Sequence, residues 1–416
     1  MKTALTLTVL AVACSASLAQ TATPNSVTLY GIVDVGVQRV SGYAKGTDNS
    51  LVSGIMEGSR FGLRGNEDLG GGYRAIFTLE NRTEANSGSL SSRPPSGSQV
   101  PDRLNQAALL GLPGALQPAV TQVAAGIGST LGVNLAGNFW DRQAYVGLVT
   151  PFGAILAGRQ YTPAYEINAA FDIMGTQSSL AAGQAASIPS SIDIRISNAL
   201  QYRIVVGGIT ASAMYAFGNV PGNGKANRLG GVMATYKTGG LTVGAGYNQR
   251  NNDIGLKSLR STVLGASLDI GPGKVSAMAV QFKDDNPSGV SGLATSLTPA
   301  VGAAAATLMQ SAFTNALRQD GRLLHVGYKM VTGPNTFYVA YTSVNDRRPA
   351  NADVASYGAA YSYALSKRTD LNAVVTHFNN KNLAQAAPGQ AGFLGGVTRS
   401  AGTDANSMAF GIRHRF

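Results

Sequence analysis

The 416-residue chain carries one cysteine, three histidines and one tryptophan, and only 13% of its residues are charged. Each scarcity closes off a class of function. The single cysteine, Cys14, lies close to the amino terminus, so no disulfide framework and no cysteine-ligated metal centre can be built. His325, His377 and His414 are too far apart in sequence for an HxxxH metal pair and show no Ser–His relay, so no catalytic residue, metal or cofactor is expected. No uninterrupted run of about 18 apolar residues follows the leader, so no membrane-spanning helix is expected. The two Ala-rich stretches that come closest, 106–137 and 292–317, are broken by Pro, Gly, Ser, Thr or Asn. A Walker or dinucleotide glycine pattern is also missing, because Gly244-Ala245-Gly246 sits inside an alternating segment. The net charge of +11 is spread along the chain without a clustered basic segment, which argues against nucleic acid as a partner.

What the chain does have is alternation. In the last eleven residues, NSMAFGIRHRF, Met408, Phe410, Ile412 and Phe416 alternate with Ala409, Gly411, Arg413 and Arg415, with His414 the one exception on the greasy face. That pattern is a strand with one apolar and one wet face. A terminal strand ending on an exposed aromatic suits a transmembrane barrel, in which the last strand pairs with the first and removes the sheet edge. The few charges, a mean hydropathy of only +0.05, 52 Gly and 16 Tyr agree with that reading. Strands are expected in VTLYGIVDVGVQ, in the hairpin SRFGLRGNEDLGGGYRAIFTLE, and near 140–149, 154–161, 193–204, 209–217, 228–237, 241–249, 259–269, 274–282, 321–331, 335–345, 354–364, 369–379 and 406–416. The total is sixteen. Short turns alternate with long polar loops, so the fold class is all-β, a sixteen-stranded antiparallel up-and-down barrel.

Lys2, the apolar run 4–13 and Ser17-Leu18-Ala19 read as a secretory signal peptide over residues 1–19, leaving 20–416 as a single barrel domain. A lipoprotein-type cleavage before Cys14 is the alternative, though Ala11-Val12-Ala13 fits it poorly. Two connections are unusually long: 84–139, the second loop, and 283–320, the sixth, where TLMQSAFTNALR could form a short helix. They are tolerated surface insertions or, on the sharper reading, a lid or subunit clasp.

Five segments in order resemble the general diffusion porins of Gram-negative bacteria, especially the beta-proteobacterial branch. They are VTLYGIVDVG (27–36), SRFGLRGNEDLGGGYRAIFTLE (59–80), RQAYVGL–PFG–GRQY (142–161), YALSKRT (363–369) and FGIRHRF (410–416). The resemblance implies an outer-membrane channel for small hydrophilic solutes, a homotrimer embedded in lipid, and a third loop folded inward, here 162–192. It also implies that Phe416 is the signal read by the barrel-assembly machinery. On the same grounds, acids of that loop, Glu166 and Asp172, face a ladder of arginines at the pore constriction, and Arg159 sits at the trimer contact.

Alternation says independently which arginines face the lumen. Arg60, Arg64, Arg74, Arg82, Arg142, Arg195 and Arg203 oppose apolar neighbours such as Phe61, Phe77, Tyr145 and Tyr202. Matched to the family pattern, the constriction arginines are Arg60, Arg142 and Arg195, with Arg74 a further candidate, while Arg413 and Arg415 lie near the rim. His325 has lumen parity and no evident partner. The excess of arginine predicts a passive channel preferring anions. The alternative is a substrate-selective channel with a solute-binding track, and a weaker one an adhesin built on the loops. Scattered lumen tyrosines, such as Tyr30 and Tyr338, do not form an aromatic slide.

Overall fold

The computed structural model describes residues 25–44, 46–390 and 394–416; the signal peptide expected over 1–19 lies outside the described residues. Strict alternation gives long strands, because side chains on the two faces of a strand meet different solvents. The strands are β1 (Ser26–Tyr43), β2 (Gly46–Ser53), β3 (Arg60–Gly70), β4 (Tyr73–Arg82), β5 (Gln143–Thr150), β6 (Gly153–Tyr161), β7 (Arg195–Val206) and β8 (Ile209–Ala216). There follow β9 (Leu229–Thr238), β10 (Leu241–Asn251), β11 (Lys257–Ile270), β12 (Gly273–Asp284), β13 (Gln319–Thr332) and β14 (Asn335–Asp346). Then come β15 (Val354–Ala364), β16 (Thr369–Asn380), a small hairpin of β17 (Ala386–Gln390) and β18 (Leu394–Val397), and β19 (Ala405–Arg415). All but the hairpin belong to one antiparallel sheet whose first and last strands pair, so the sheet is a closed barrel.

Seventeen segments occupy sixteen positions. Both β2 and β3 pair with β1, the former along Val35–Tyr43 and the latter along Ser26–Ile32, so they are two halves of one barrel strand. The upper half, GTDNSLVS, was not expected from sequence, because its polar run hides the alternation. Between the halves, residues 54–59 leave the wall. The amides of Ile55, Met56 and Glu57 all donate to the Asp34 carboxylate, at 2.9, 2.9 and 2.8 Å. That cradle turns the excursion inward.

Closure runs in register from Ile32↔Arg415 to Ser41↔Asn406. One residue further, Gly31 and Phe416 exchange two backbone hydrogen bonds of 3.1 Å each. Glycine is required at 31: a Cβ there would stand 2.3 Å from the Phe416 ring. Met408, Phe410, Ile412 and Phe416 lie exposed on the outer face, with Val27, Leu29, Val146, Leu264 and Leu324 on other strands, as a lipid-facing surface demands. One expectation is overturned. Tyr145 faces inward, where Thr78 donates to its hydroxyl at 3.1 Å, and Val146 and Leu148 take the lipid face. The register is the reason: Tyr145 lies directly across from inward-facing Thr78 on β4, so it shares that face.

The long loops are folded. The second carries α1 (Asp102–Asn105) and α2 (Gln117–Ser129), the third carries α3 (Pro163–Phe171), and the sixth carries α4 (Leu293–Val301) and α5 (Ala303–Leu317), a longer helix than the sequence suggested. Val120 of α2 and Ala306, Met309 and Phe313 of α5 share one apolar cluster. The two loops emerge eight strand positions apart in the ring of sixteen, on opposite sides, so the cluster bridges the mouth of the barrel.

Removing Phe416, or replacing Gly31 by Leu, takes away the last closing pair or fills its space. Each change is expected to lower the fraction of heat-modifiable, folded barrel recovered from membranes. Unchanged recovery for both would show that closure does not depend on this corner.

Candidate constriction site

The third loop lines much of the inner wall. It opens with α3 (Pro163–Phe171), whose Pro163 occupies the first turn, where no amide partner is lost. The helix lies flat because the wall beneath it is glycine. A Cβ on Gly265 would meet Phe171 at 2.1 Å, and one on Gly246 would meet Ile167 at 2.8 Å. Gly244 and Gly246, which fail as a nucleotide motif, are part of that seat, a Cβ on Gly244 meeting Phe171 at 2.9 Å. Beyond α3, Met174 and Leu180 pack with Ile55, Met56, Val374 and Ala409, so the loop reaches the far side of the barrel. It returns through Ser190 and Ser191, whose carbonyls accept from Gln319 at 3.1 Å and Ser261 at 2.6 Å, and Asp193 pairs with Arg250 at 2.9 Å.

This path places the two expected loop acids differently from the family-based expectation. Asp172 is fully enclosed. Its carboxylate accepts the amides of Met174 at 2.9 Å and Ala182 at 2.8 Å, so both oxygens serve the loop's own backbone. Burial pushes its carboxyl up, against the opposing pull of His325 and those amides. His325 Nε2 lies 3.8 Å away and accepts the Ile173 amide at 3.3 Å, while its Nδ1 contacts Thr342 at 2.9 Å. The histidine that lacked an evident partner thus has three. Glu166 pairs with Arg203 at 2.7 Å rather than with Arg60, Arg142 or Arg195. A carboxylate in a loop has no face fixed by alternation, and a buried one goes where amides or guanidinium can satisfy it.

Arg60, Arg142 and Arg195 do come together, and the acids beside them come from elsewhere. Glu80 on β4 binds Arg142 Nε at 2.6 Å and stands 3.9 Å from Arg60 Nε. The Tyr161 hydroxyl accepts from both Arg142 and Arg195 at 3.1 Å, with the Arg195 guanidinium 4.7 Å over its ring. Glu57, on the inward excursion, binds Arg60 at 2.8 Å, Arg413 at 2.9 Å and Arg415 at 2.7 Å. Asp370 binds Arg413 at 3.0 Å and Arg415 at 2.9 Å. A continuous belt therefore runs Asp370–Arg413/Arg415–Glu57–Arg60–Glu80–Arg142–Tyr161–Arg195. Its five arginines face three carboxylates.

Two further expectations are corrected. Arg413 and Arg415 are members of the belt, not a separate rim pair. Arg74 is placed elsewhere: it pairs across from Asp68 beside the β3–β4 turn, eight residues along β4 from Arg82, or roughly 26 Å at strand rise. Sequence reasoning missed Glu57, Glu80, Asp370 and Tyr161. Glu80 had a legible signal, since it shares lumen parity with Arg74 and Arg82. Among the other expected lumen arginines, Arg82 pairs with Glu84 at 3.0 Å and Arg64 stacks 3.9 Å over the Tyr30 ring.

Comparison with known proteins agrees with this architecture. The Gram-negative porin family matches residues 6–383, nine-tenths of the chain. This chain belongs to the Gram-negative porin family. Porin protein 32 of the outer membrane of Delftia acidovorans is 27% identical over all of this chain and 99% of its own. An outer membrane porin protein of Bordetella pertussis is 25% identical over the full length of both. Among solved structures, an anion-selective porin from Comamonas acidovorans superposes with a TM-score of 0.67 at 23% identity, covering 94% of this chain and all of that one. OmpT of Vibrio cholerae superposes at 0.58 with 13% identity, over 95% and 99%. The porin is an outer-membrane channel for passive diffusion of small hydrophilic solutes.

Glu57 is the hub of the belt. Burial alone would raise its carboxyl, but Arg60, Arg413 and Arg415 together hold it down at about 2 from an ordinary 4.5. A depressed carboxyl contributes stability that is complete above its ordinary value and is lost as pH falls toward the folded value. Glu57→Gln is expected to lower the melting temperature of the folded porin in detergent at neutral pH, and to flatten its fall between pH 4.5 and 2. Breaking a buried pair on one side costs about 3–5 kcal/mol as an upper figure, here reduced because Asp370 still holds two of the three arginines. An unaltered melting profile would show that Glu57 does not organise the belt.

Proposed function

We propose that the belt formed by Arg60, Arg142 and Arg195 with Arg413 and Arg415 is the constriction, and that the channel prefers anions. The observation that carries this is the imbalance of five arginines against Glu57, Glu80 and Asp370. Guanidinium groups on the pore wall replace part of an anion's lost hydration, and the excess charge repels cations. The lumen is wet, and salt screens over about 8 Å at physiological ionic strength, so the preference is moderate. The similarity to a porin described as anion-selective points the same way.

In a salt gradient across a planar bilayer, the reversal potential is expected to be anion-directed and to shrink as salt rises. A cation-directed potential at low salt would overturn the reading. Arg142→Ala with Arg195→Ala should shift selectivity toward cations, because Glu80 then stands without its closest counter-charge. Arg74→Ala should do much less, since it lies far along β4. An equal shift from Arg74 would move the constriction toward the periplasmic turn.

Three further readings complete the proposal. The porin works as a homotrimer, with Arg159 and the edge-to-face cluster of Phe61, Phe139 and Trp140 on the subunit-facing side. Arg159 is held half-buried by the Asp141 carbonyl and Ser197. The barrel-assembly machinery reads Phe416, and residues 1–19 direct export. Unheated protein in mild detergent is expected to migrate as a trimer that boiling collapses to a monomer; a monomeric band under both conditions would remove the trimer.

A further inference from the structure

Above the belt, the second loop leans over the mouth and is tied to the loop between β16 and β19. Ser96 Oγ accepts the Val397 amide at 2.9 Å, Gln99 donates to the Thr398 carbonyl at 3.1 Å, and the Asp102 carboxylate accepts the Ala401 amide at 3.2 Å. Where this strap meets the third, seventh and eighth loops it forms a partly open cavity of about 60 Å³. Three charged groups line that cavity: Arg103 from the strap, Asp346 at the end of β14, and Arg348 from the seventh loop.

The charges there do not balance. Arg348 takes the Asp346 carboxylate with two bonds of 2.7 and 2.9 Å. The same carboxylate also accepts the amides of Arg348 at 3.1 Å and Ala352 at 3.0 Å, so its acceptor capacity is used. Arg103 is only 8% exposed, yet among the described residues no carboxylate lies within ion-pair distance of it. Its Nη2 donates to the Ile188 carbonyl at 3.3 Å, and its Nε is buried with no acceptor. Burial, and the nearby Arg348, lower its pKa to about 10 with Asp346 opposing, which leaves the guanidinium charged at neutral pH. A buried cation without a counter-charge is unfavourable unless something supplies one.

We propose that this cavity is an anion site, separate from the constriction, in which Arg103 binds one small oxyanion of the phosphate or carboxylate kind. The Nη groups, which keep donors free beside the one bond to Ile188, suit an oxyanion, because a guanidinium presents its N–H groups in a planar fork. The cavity, about 60 Å³, is too small for a sugar or nucleotide. An anion there links the strap to the third loop through Arg103 and Ile188, so its occupancy holds the strap over the mouth. The site does not depend on which ion the constriction prefers.

The test is hydrogen–deuterium exchange on the full-length folded porin at constant ionic strength, with millimolar phosphate, acetate or chloride. Phosphate or acetate is expected to slow exchange across residues 96–106 and 185–190 several-fold relative to chloride, and the stronger of the two identifies the ligand. Arg103→Gln should abolish that difference while barrel-strand protection stays as in the wild type. Arg103→Lys, which keeps the charge and loses the fork, should reduce it. Arg142→Ala with Arg195→Ala should leave it intact, which separates this site from the constriction. Exchange that does not depend on the anion in the wild type, or protection that persists in Arg103→Gln, would overturn the proposal. Should Arg103→Gln fail to fold, the wild-type comparison and Arg103→Lys decide it.

Discussion

Within a bilayer no water is present to satisfy the backbone, so every amide and carbonyl of a spanning segment must find a partner in the protein. A sheet meets that demand only by closing on itself. Here the demand is met where β1 pairs with β19 over ten residue pairs and the terminal Phe416 returns two bonds to Gly31. The rest follows from closure. A closed sheet has an outside that meets lipid and an inside that meets water, so alternation becomes obligatory along each strand. The inner face is then free to carry charge, which the outer face at mid-bilayer is not.

That inner face is used in two distinct ways. On the β8–β13 side, glycines flatten the wall so that α3 can lie against it, and Asp172 ties the chain beyond the helix with two of its own amides. On the opposite side the wall carries the belt of arginines. The two halves meet at the excursion after β2, where Gly58 donates to Gln177 of the third loop at 3.4 Å and Glu57 gathers three guanidiniums. Strand β1 governs this junction, because Asp34 both belongs to the closing strand and cradles the excursion. A local carboxylate thereby couples closure of the barrel to the charge pattern of its narrow part.

The long loops add a second, smaller folding problem above the first. Their helices bury Leu104, Val120, Met309 and Phe313 in clusters formed between loops from opposite sides of one rim. Such a core depends on the barrel bringing the two sides of the rim together, since the two segments lie far apart in sequence. It differs from a tolerated insertion in having an interior of its own. The strap it supports is also the element that carries Arg103 over the mouth.

Much of this was legible in the chain itself. Alternation fixed the faces of most strands, and with them the lumen position of Arg60 and Arg195, because side-chain direction in a strand has a period of two whatever its neighbours are. Arg142 lies just before β5, whose own parity would have turned it outward, and only the Glu80 and Tyr161 contacts hold it in the lumen. The bulk and polarity of the last eleven residues marked the closing strand. Periodicity says which face a residue takes, but not how far along the pore it sits. Arg74 and Arg60 share a face and differ in depth, and Arg413 and Arg415 join the belt only through the register between β19 and its neighbours. Nor does it say which residues meet across the lumen. Glu57 finds Arg413 and Arg415 from 356 and 358 residues away, out of a segment with no period to read. Asp172 and Glu166 lie outside the strands, where no alternation sets their direction, so only packing against the finished wall decided whether they faced water, amides or guanidinium.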